Sequence, residues 1–334
     1  MIITRTPYRI SFFGGGTDYP AWYKKHGRGA VLSTTINKYC YLNCRNLPPF
    51  FRHKYAINYS KRELTKNIES IKHPSVRESL GFVKSNNGIE LHHAGDLPKM
   101  SGVGSSSAFT VGLLKALYSL RGENKTKREL ALDAIHVEQN LIGENVGSQD
   151  QTSAAFGGLN KIEFGGPKEI NVRPVAIRPE KLESLQNNLM LVFTDFSRDG
   201  TKIAKHWIKN TDQNKHYLKD MLAMVDEGLS ILTQKGKNLD DFGRLLNTSW
   251  NIKRKLANNI TNGKIDAMYE KAMKNGALGG KLLGAGGGGF ILFYAPMDAQ
   301  PQIKEVFKKF IHVPFKFENA GSQVIYYSTP PNYI

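Results

Sequence analysis

The sequence predicts an α+β protein of two domains. Its 334 residues exceed the size at which a single hydrophobic core usually stops growing, which favours two cores. Strand-like and helix-like segments are mixed in both halves, as they are in α+β folds. A basic stretch with two prolines at 172–181 marks the boundary, so the predicted domains are residues 1–180 and 181–334.

The first domain begins with strands. Three segments have the residue pattern of strands: 2–13, 30–43 and 55–59. They precede a loop and a helix at 105–120, on which apolar residues recur at i, i+4 and i+8: Phe109, Leu113 and Leu117. Gly122 lies just beyond this segment, which favours a helix end there.

A second helix is predicted at 127–142. Four apolar residues share one of its faces: Leu130, Ala134, Val137 and Leu141. Glu138 lies beside this face rather than opposite it, so its carboxylate is expected on the side that packs against the core.

The second domain is predicted to start with an apolar strand at 189–196, directly after the basic stretch. Three helices are expected to follow: 202–234, 239–257 and 265–275. Two further segments have the pattern of strands: 290–294 and 324–328. Helices and strands in this order predict an α+β domain rather than a regular βαβ succession.

The charge of the chain favours acidic ligands. There are 46 Lys and Arg against 29 Asp and Glu, a formal net charge of +17. The basic residues are dispersed, and no RNA-recognition signature, zinc-finger spacing or basic heptad region is present, which argues against nucleic acid as a partner. The remaining explanations are phosphorylated small molecules and a solvated basic surface, and a mixture of the two is favoured.

Hydropathy and cysteine content indicate an intracellular protein. No apolar run approaches the roughly 20 residues that span a bilayer, and the N-terminus has no charged-then-apolar leader. We therefore expect a soluble, cytoplasmic protein with no membrane partner. Cys40 and Cys44 lie in one predicted strand, about 13 Å apart, which is too far for a disulfide. With no histidine pair nearby to complete a zinc site, both are expected to be packing residues.

The most informative segment combines glycines with hydroxyls directly at the start of the helix 105–120: Ser101, Gly102, Val103, Gly104, Ser105, Ser106 and Ser107. Glycines let the backbone approach a ligand, and hydroxyls donate to phosphate oxygens or bind a hard metal. The positive end of the helix favours negative charge. The segment therefore predicts a polyphosphate site, although a simple N-capped turn fits an isolated Gly-x-Gly-Ser as well.

Two further glycine loops accompany it. The strand at 2–13 runs into Gly14, Gly15, Gly16, Thr17 and Asp18, so that glycines place an aspartate, and possible amide donors, against a ligand. The other loop precedes the strand at 290–294 and includes Gly286 and Gly287.

Together the three loops resemble, in kind and order, the three motifs of the GHMP small-molecule kinases, which include galactokinase, homoserine kinase, mevalonate kinase and phosphomevalonate kinase. The resemblance implies a first α+β domain with the glycine-loop phosphate site and a ferredoxin-like α+β second domain. It implies ATP and Mg²⁺ as cofactors, with the nucleotide on residues 101–107. The acceptor is expected on the segment 14–18 and on Gly286 and Gly287.

The same resemblance assigns roles to four side chains. Ser106 and Glu138 correspond to the magnesium ligands, and Asp150 to the carboxylate that faces the acceptor hydroxyl. Arg9 corresponds to the arginine that several sugar kinases of this superfamily place beside that aspartate. Without the resemblance, a capping glutamate, a turn aspartate and a strand arginine in an ordinary ion pair explain these residues too.

The resemblance is longest to the bacterial D-glycero-D-manno-heptose 7-phosphate kinases, relatives of the fucokinases. It includes five segments: 14–18, 31–41, 47–51, 92–93 and 144–151. It implies ATP-dependent phosphorylation of the anomeric hydroxyl of a heptose 7-phosphate to the 1,7-bisphosphate, on the way to GDP-heptose and surface polysaccharide. Gly15 and Gly16 stand where galactokinase has an acid and a histidine, which argues against galactose.

Several points stay open at this level. Six residues are candidates for the sugar phosphate: Arg28, Arg52, His53, Lys54, Arg198 and Lys202. A fucokinase-like sugar kinase is the nearest alternative. A dinucleotide-dependent dehydrogenase is disfavoured because no Gly-x-Gly-x-x-Gly has an acid about 20 residues on. A nucleic-acid binder without catalysis is the remote alternative. The oligomeric state is not fixed by the sequence, and a homodimer is one expectation.

Overall fold

The structure is a computed structural model that describes residues 1–85, 87–166, 169–196, 203–204, 208 and 210–329. Arg198, Lys202 and the predicted start of the helix 202–234 lie outside these residues. The described strands are β1 (Ile2–Phe13), β2 (Gly29–Asn46), β3 (Tyr55–Asn58), β4 (Arg62–Thr65), β5 (Ile89–Gly95), β6 (Asn160–Phe164), β7 (Ile170–Pro174), β8 (Leu189–Phe193), β9 (Gly279–Leu282), β10 (Phe290–Tyr294), β11 (Phe317–Glu318) and β12 (Gln323–Tyr327).

The described α-helices are α1 (Pro20–His26), α2 (Pro74–Phe82), α3 (Ser105–Leu120), α4 (Lys127–His136), α5 (Gln149–Phe156), α6 (Pro179–Asn187), α7 (Lys215–Thr233), α8 (Asp240–Lys253), α9 (Gly263–Lys274) and α10 (Gln300–Val306). A single 3₁₀ turn spans Ile68–Ser70, and a π-helical turn spans Val137–Leu141. The mixture of sheets and helices confirms the predicted α+β fold.

A large mixed sheet forms the first layer. Its main strand order is β12-β1-β2-β5-β3-β4, with β6 and β11 also pairing with β2, and β7 pairing with β6. A smaller antiparallel sheet has the order β8-β10-β9. Each sheet buries an apolar face, and β10 is buried over its whole length. Strands β11 and β12, from the end of the chain, add to the first sheet rather than to the second.

Helix α3 packs closely on β1. Gly104 begins the helix with a φ of +75°, a left-handed conformation that suits glycine. A Cβ at Gly112 would lie 2.7 Å from Oγ1 of Thr6, so only a glycine permits this approach. The hydroxyl of Thr4 donates to the carbonyl of Gly112 over 3.1 Å. The middle of α3 is thereby fixed against the first half of β1.

The predicted helix at 127–142 is α-helical only to His136. The π-helical turn that follows carries five residues, and such turns often occur at functional sites. The wider turn shifts the apolar periodicity, so Leu141 is 40% exposed although the α-helical pattern placed it on the buried face. Glu138, in contrast, is fully buried, as predicted.

The sequence-based elements agree unevenly with the structure. The predicted elements 2–13, 105–120 and 290–294 are confirmed at both ends. The strand from 189 ends at Phe193 instead of 196, and the helix from 239 ends at Lys253 instead of 257. Six of the described strands were not predicted: β4, β5, β6, β7, β9 and β11. Cys40 and Cys44 are buried and free, as expected.

Aromatic packing joins the two halves of the chain. Phe242 of α8 makes edge-to-face contacts with Phe12 and Phe13 of β1, with ring centroids 5.2 and 5.0 Å apart. All three side chains are fully buried. Contacts of this geometry add to the free energy of burying the rings. Within the described residues, no helix is long and apolar enough to cross a membrane.

We expect Phe242→Ala to lower the free energy of unfolding by about 3 to 5 kcal/mol, since it leaves a cavity between β1 and α8. Urea unfolding followed by circular dichroism measures the loss. Phe50→Ala is the control, because Phe50 is 81% exposed. A loss below about 1 kcal/mol in Phe242→Ala would show that the halves do not depend on this contact.

Candidate active site

A cavity of about 440 Å³ lies where the end of β1, the loop before α3 and the second half of the chain meet. Its walls carry both charged and apolar groups. The lining includes Arg9, Ser11, Asp18, Gly102, Ser105, Ser106, Ser107, Gln149, Asp150, Lys253, Lys281 and Gly284. Polar groups gathered in one concave site are typical of a ligand-binding site.

Arg9 and Asp150 form the central pair of the cavity. Nε and Nη2 of Arg9 donate to Oδ1 and Oδ2 of Asp150 over 2.8 and 2.7 Å. Arg9 is 4% exposed, whereas the side chain of Asp150 is 24% exposed and lines the cavity. This two-pronged geometry fixes both carboxylate oxygens while leaving their outer lone pairs accessible. The sequence placed these residues in one site, and the structure brings them together.

Local structure explains the orientation of Arg9. The β1–β2 register shifts between Pro7 and Tyr8, just before Arg9, and such irregularities re-aim side chains. Nη1 of Arg9 donates to the carbonyl of Gly102 over 2.6 Å, and its main-chain N–H donates to the carbonyl of Val103 over 3.0 Å. Arg9 therefore holds the glycine loop as well as the carboxylate.

The loop before α3 depends on two glycines. Gly102 has a φ of +86°. A Cβ at Gly104 would lie 3.3 Å from Oδ2 of Asp150 and from Cγ of Arg9. Past these glycines, Ser105, Ser106 and Ser107 line the cavity at the N-terminus of a 16-residue helix. Unpaired amides and the helix dipole at such a terminus favour an anion.

Glu138 lies behind the serines rather than on the cavity wall. Its Oε2 accepts a hydrogen bond from Oγ of Ser107 over 2.8 Å and another from Nε2 of Gln151. Among the described residues its Oε1 is buried without a hydrogen-bond partner. Burial raises the pKa of Glu138 to about 7. The structure thus joins Glu138 to Ser107, while Ser106, the serine paired with it by resemblance, is exposed and lines the cavity.

Asp18 shapes the first glycine loop. Its carboxylate accepts from the N–H of Gly16 over 2.9 Å and from the N–H of Gln149 over 3.3 Å. It is fully buried, and burial together with the charge of Asp150 raises its pKa to about 6. A Cβ at Gly147 would lie 1.8 Å from Oδ2 of Asp18, so a side chain there would displace the carboxylate.

Other residues of the first loop divide into two groups. Gly15 and Gly16 line the cavity beside Asp18. Thr17 instead turns inward, because its hydroxyl donates to the carbonyls of Gly14 and Ala30 over 2.8 and 3.0 Å. Gly14 and Thr17 therefore hold the loop in shape, and the structure does not place them on the cavity wall.

The third glycine loop reaches the cavity through Gly284 and Ala285. A Cβ at Gly284 would lie 2.5 Å from Cα of Gly102, so the two loops cross with their backbones in contact. Gly286 and Gly287, expected on the acceptor side, lie against Ile260 instead. The N–H of Gly287 donates to the carbonyl of Ile260 over 2.9 Å.

Sequence reasoning missed four polar groups of the cavity. Oγ of Ser11 and Oε1 of Gln149 are buried without a partner among the described residues. Lys253 and Lys281 also line the cavity. A lysine in a strand and a lysine at a helix end carry no signal in the sequence, and only tertiary structure brings them to the site.

The proposed sugar-phosphate candidates lie elsewhere. Arg28 pairs with Glu163 and Asp226 over 3.3 and 3.4 Å. Arg52, His53 and Lys54 are in the loop before β3, and none of these four basic residues lines the cavity. His92 bonds with Glu90, and His93 packs against Phe109 with ring centroids 5.3 Å apart.

Comparison with known proteins identifies the family. The model of the GHMP kinases N terminal domain matches residues 56–158, and the GHMP kinases C terminal model matches residues 230–312. The D-glycero-alpha-D-manno-heptose 7-phosphate kinase of Campylobacter jejuni subsp. jejuni is 31% identical over 337 aligned residues, covering 96% of this chain and 97% of that relative. The chain belongs to the GHMP kinases. It is a phosphotransferase with an alcohol group as acceptor.

Solved structures show the same two-domain fold. A D-glycero-D-manno-heptose 1-phosphate kinase from Bacteriodes thetaiotaomicron has a TM-score of 0.72 at 22% identity, covering 98% of this chain and 100% of that chain. The Lactococcus lactis galactokinase complexed with galactose has a TM-score of 0.72 at 20% identity, covering 97% and 95%. The predicted GHMP kinase architecture is thereby confirmed.

GHMP kinases use ATP, typically with Mg²⁺, and the residues of this chain fit that cation. The buried Oε1 of Glu138 lacks a partner among the described residues, and the hydroxyls beside it are oxygen donors. Oxygen donors are what Mg²⁺ prefers, and Mg²⁺ takes its remaining ligands from phosphates and water. The described residues contain no cluster of three or more His, Cys, Asp or Glu suited to a metal.

We expect the stability of this GHMP kinase to carry a pH dependence from Asp18. The folded state binds the Asp18 proton more tightly than the unfolded state, because the pKa rises from 3.8 to about 6. Stability from this group is therefore full below pH 3.8 and is lost as the pH rises through about 6. Between pH 4 and pH 7, the free energy of unfolding of wild type should fall by up to about 3 kcal/mol relative to that of Asp18→Asn.

Urea unfolding of both proteins over this pH range tests the expectation. The test uses the way in which the difference in free energy of unfolding between wild type and Asp18→Asn changes with pH. The difference at a single pH is not informative, because Asn alters the hydrogen bonds to Gly16 and Gln149 at every pH. Asp220→Asn, at an exposed position, should run parallel to wild type. If the free energy of unfolding of Asp18→Asn changed with pH as that of wild type does, this result would contradict the raised pKa.

Proposed function

We propose that this GHMP kinase phosphorylates the anomeric hydroxyl of D-glycero-D-manno-heptose 7-phosphate with ATP, giving the 1,7-bisphosphate for GDP-heptose and surface polysaccharide synthesis. The observation that carries the kinase chemistry is the Arg9–Asp150 pair at the wall of the cavity, beside the serine-rich start of α3. The sugar is supported by the Campylobacter jejuni relative, which is a heptose 7-phosphate kinase.

Asp150 is the proposed catalytic carboxylate. It accepts a hydrogen bond from the acceptor hydroxyl and orients that oxygen toward the γ-phosphorus of ATP. The new bond joins the sugar oxygen to phosphorus, while the bond from phosphorus to the β–γ bridging oxygen breaks and ADP leaves. The hydroxyl proton passes to Asp150 late in a loose transition state, so a strong base is not required.

Arg9 has two proposed roles. Its paired hydrogen bonds fix the plane of the Asp150 carboxylate, and its guanidinium offsets negative charge on the phosphoryl group in transfer. Because Arg9 also binds the carbonyl of Gly102, the same side chain sets the distance between the carboxylate and the nucleotide loop.

The nucleotide phosphates are proposed to lie against residues 101–107, where amides and hydroxyls at the start of α3 donate to them. Glu138, with Ser106 or the Ser107 hydroxyl that contacts it, would hold Mg²⁺. When bound, that cation neutralises charge on the phosphates and orients them. The buried carboxylate would exchange its proton for a cation at this point.

Sugar recognition is proposed for three other residues that line the cavity, Asp18, Ser11 and Gln149. Oγ of Ser11 and Oε1 of Gln149 are buried without a partner among the described residues. Both acceptors and donors are thus available to sugar hydroxyls at buried positions, where unmade hydrogen bonds are costly. Gly15 and Gly16 supply no acid or histidine for galactose, which favours another sugar.

We expect Asp150→Asn to bind ATP and sugar but to lose about 10²- to 10⁴-fold in kcat, because a positioned proton acceptor is removed while the size is kept. Arg9→Ala should show a similar loss, and the double variant should lose little more, since the two residues act as one unit. Steady-state kinetics at saturating substrates measure this.

Asp241→Asn is the matched control for Asp150→Asn. It also removes one carboxylate that pairs with an arginine, Arg244, over 2.8 Å, but at an exposed position. Its kcat should equal that of wild type. If Asp150→Asn turned over within about threefold of wild type, the carboxylate would be a structural residue of the α5 start.

The substrate is tested with a panel of acceptors. ATP consumption is measured with heptose 7-phosphate, heptose 1-phosphate, unphosphorylated heptose, fucose, galactose and mevalonate, and ³¹P NMR locates the new phosphate. We expect the highest kcat/KM for heptose 7-phosphate and an anomeric phosphate in the product. Preference for fucose would instead support a fucokinase-like enzyme, and preference for heptose 1-phosphate would place the transfer at another hydroxyl.

A further inference from the structure

Two lysines of the second half of the chain lie at the cavity beside Arg9. Lys281 of β9 is 3% exposed, and its Nζ donates to the carbonyl of Phe12 in β1 over 2.8 Å. Lys253, the last residue of α8, donates to the carbonyls of Leu282 and Gly284 over 3.1 and 2.5 Å. Both line the same cavity as Arg9 and Asp150.

Neither ammonium has a counter-ion in the described part of the chain. Every hydrogen bond of the two Nζ atoms within the described ranges goes to a main-chain carbonyl. A protonated lysine has three donors, so in the charged form Lys281 retains two and Lys253 retains one. Asp150, the proposed catalytic carboxylate, is already paired with Arg9. A buried charge without an opposite charge costs several kcal/mol, which is unusual outside functional sites.

The positive groups act on one another. Burial lowers the pKa of Lys253 to about 7, and the charge of Arg9 lowers it further in the same direction. Burial, Lys253 and Arg9 in turn lower the pKa of Lys281 well below its usual range. An anion placed among the three would relieve both the repulsion and the cost of burial.

The carbonyl contacts show where such an anion would lie. Lys253 binds the loop at Leu282 and Gly284, and that loop crosses the nucleotide loop at Gly102, whose carbonyl binds Arg9. Lys281 reaches Phe12, three residues along β1 from Arg9. The free donors therefore border the space between the glycine loops and the catalytic pair.

We propose that Lys253 and Lys281, together with Arg9, form a subsite for a phosphoryl group. The proposal rests on the proposed function, which supplies two such groups: the γ-phosphoryl of ATP and the phosphate already on the sugar. Both have the tetrahedral oxygens and the negative charge that three clustered cations complement. The six sequence-based candidates for the sugar phosphate are not needed for this subsite.

Binding measurements with paired ligands test the subsite and distinguish its two sources. The variants are Lys281→Met and Lys253→Met, which remove the charge and keep an unbranched side chain. Calorimetry compares a non-hydrolysable ATP analogue with ADP, and heptose 7-phosphate with heptose. In one of the two pairs, loss of the charged donors should weaken binding of the member with the additional phosphate, the ATP analogue or heptose 7-phosphate, by about 10- to 100-fold. The affinity for the other member of that pair should not change.

The pair that responds identifies the source. A change confined to the ATP analogue assigns the γ-phosphoryl, and a change confined to heptose 7-phosphate assigns the sugar phosphate. Equal affinities in both pairs, in variants with wild-type circular dichroism spectra, would overturn the proposal. Lys255→Met is the matched control, since Lys255 is exposed, lies two residues from Lys253 and does not line the cavity.

Two features keep the test decisive. If Lys281→Met does not fold, because its bond to Phe12 holds the halves together, Lys253→Met and Lys281→Arg carry the comparison, and Lys281→Arg should retain the wild-type preference. If wild type binds no heptose 7-phosphate, the proposed substrate is wrong. The comparison of the ATP analogue with ADP then decides the subsite by itself.

Discussion

The arrangement of the site depends on the side chain of Arg9. One guanidinium holds both oxygens of Asp150 and the carbonyl of Gly102, and the main chain of the same residue binds Val103. Three separate segments, β1, the loop before α3 and the start of α5, are therefore fixed by a single residue. The donor fork of arginine is rigid and planar, which a lysine cannot replace at this position.

Close approach of backbones is the second constraint. The loops around Gly102 and Gly284 cross with no room for a Cβ on either, and Gly147 leaves room for the carboxylate of Asp18. Each glycine weakens the chain entropically, since it has more conformations to lose on folding. The glycines are needed here because the two loops cross in contact, and the proposed nucleotide phosphates would approach the same backbone.

The sequence predicted those parts of the molecule in which local pattern and tertiary structure agree. β1 and α3 have clear periodicity, and the three glycine loops mark the walls of the cavity. The π-helical turn was not predictable, because its five residues have an α-helical pattern, and the hydrogen bonds of Glu138 with Ser107 and Gln151 appear only in the tertiary structure. Lys253 and Lys281 were given no role for a similar reason, since only the tertiary structure brings them to the cavity.

The distribution of charge in this site lowers the stability of the protein without ligands and suits the site to phosphoryl transfer. Asp18 and Glu138 are buried carboxylates with raised pKa values, while Lys281, which is buried, and Lys253, which is partly buried, have lowered ones. Every one of these shifts means that the protein alone disfavours the charged form. The phosphates and the cation of the proposed function would supply opposite charges to Glu138, Lys253 and Lys281, and would stabilise groups that the fold leaves uncompensated. These uncompensated groups lower the stability of the protein without ligands, and ligand binding recovers that free energy. The dipoles and charges of the site then need little reorganisation when the phosphoryl group moves.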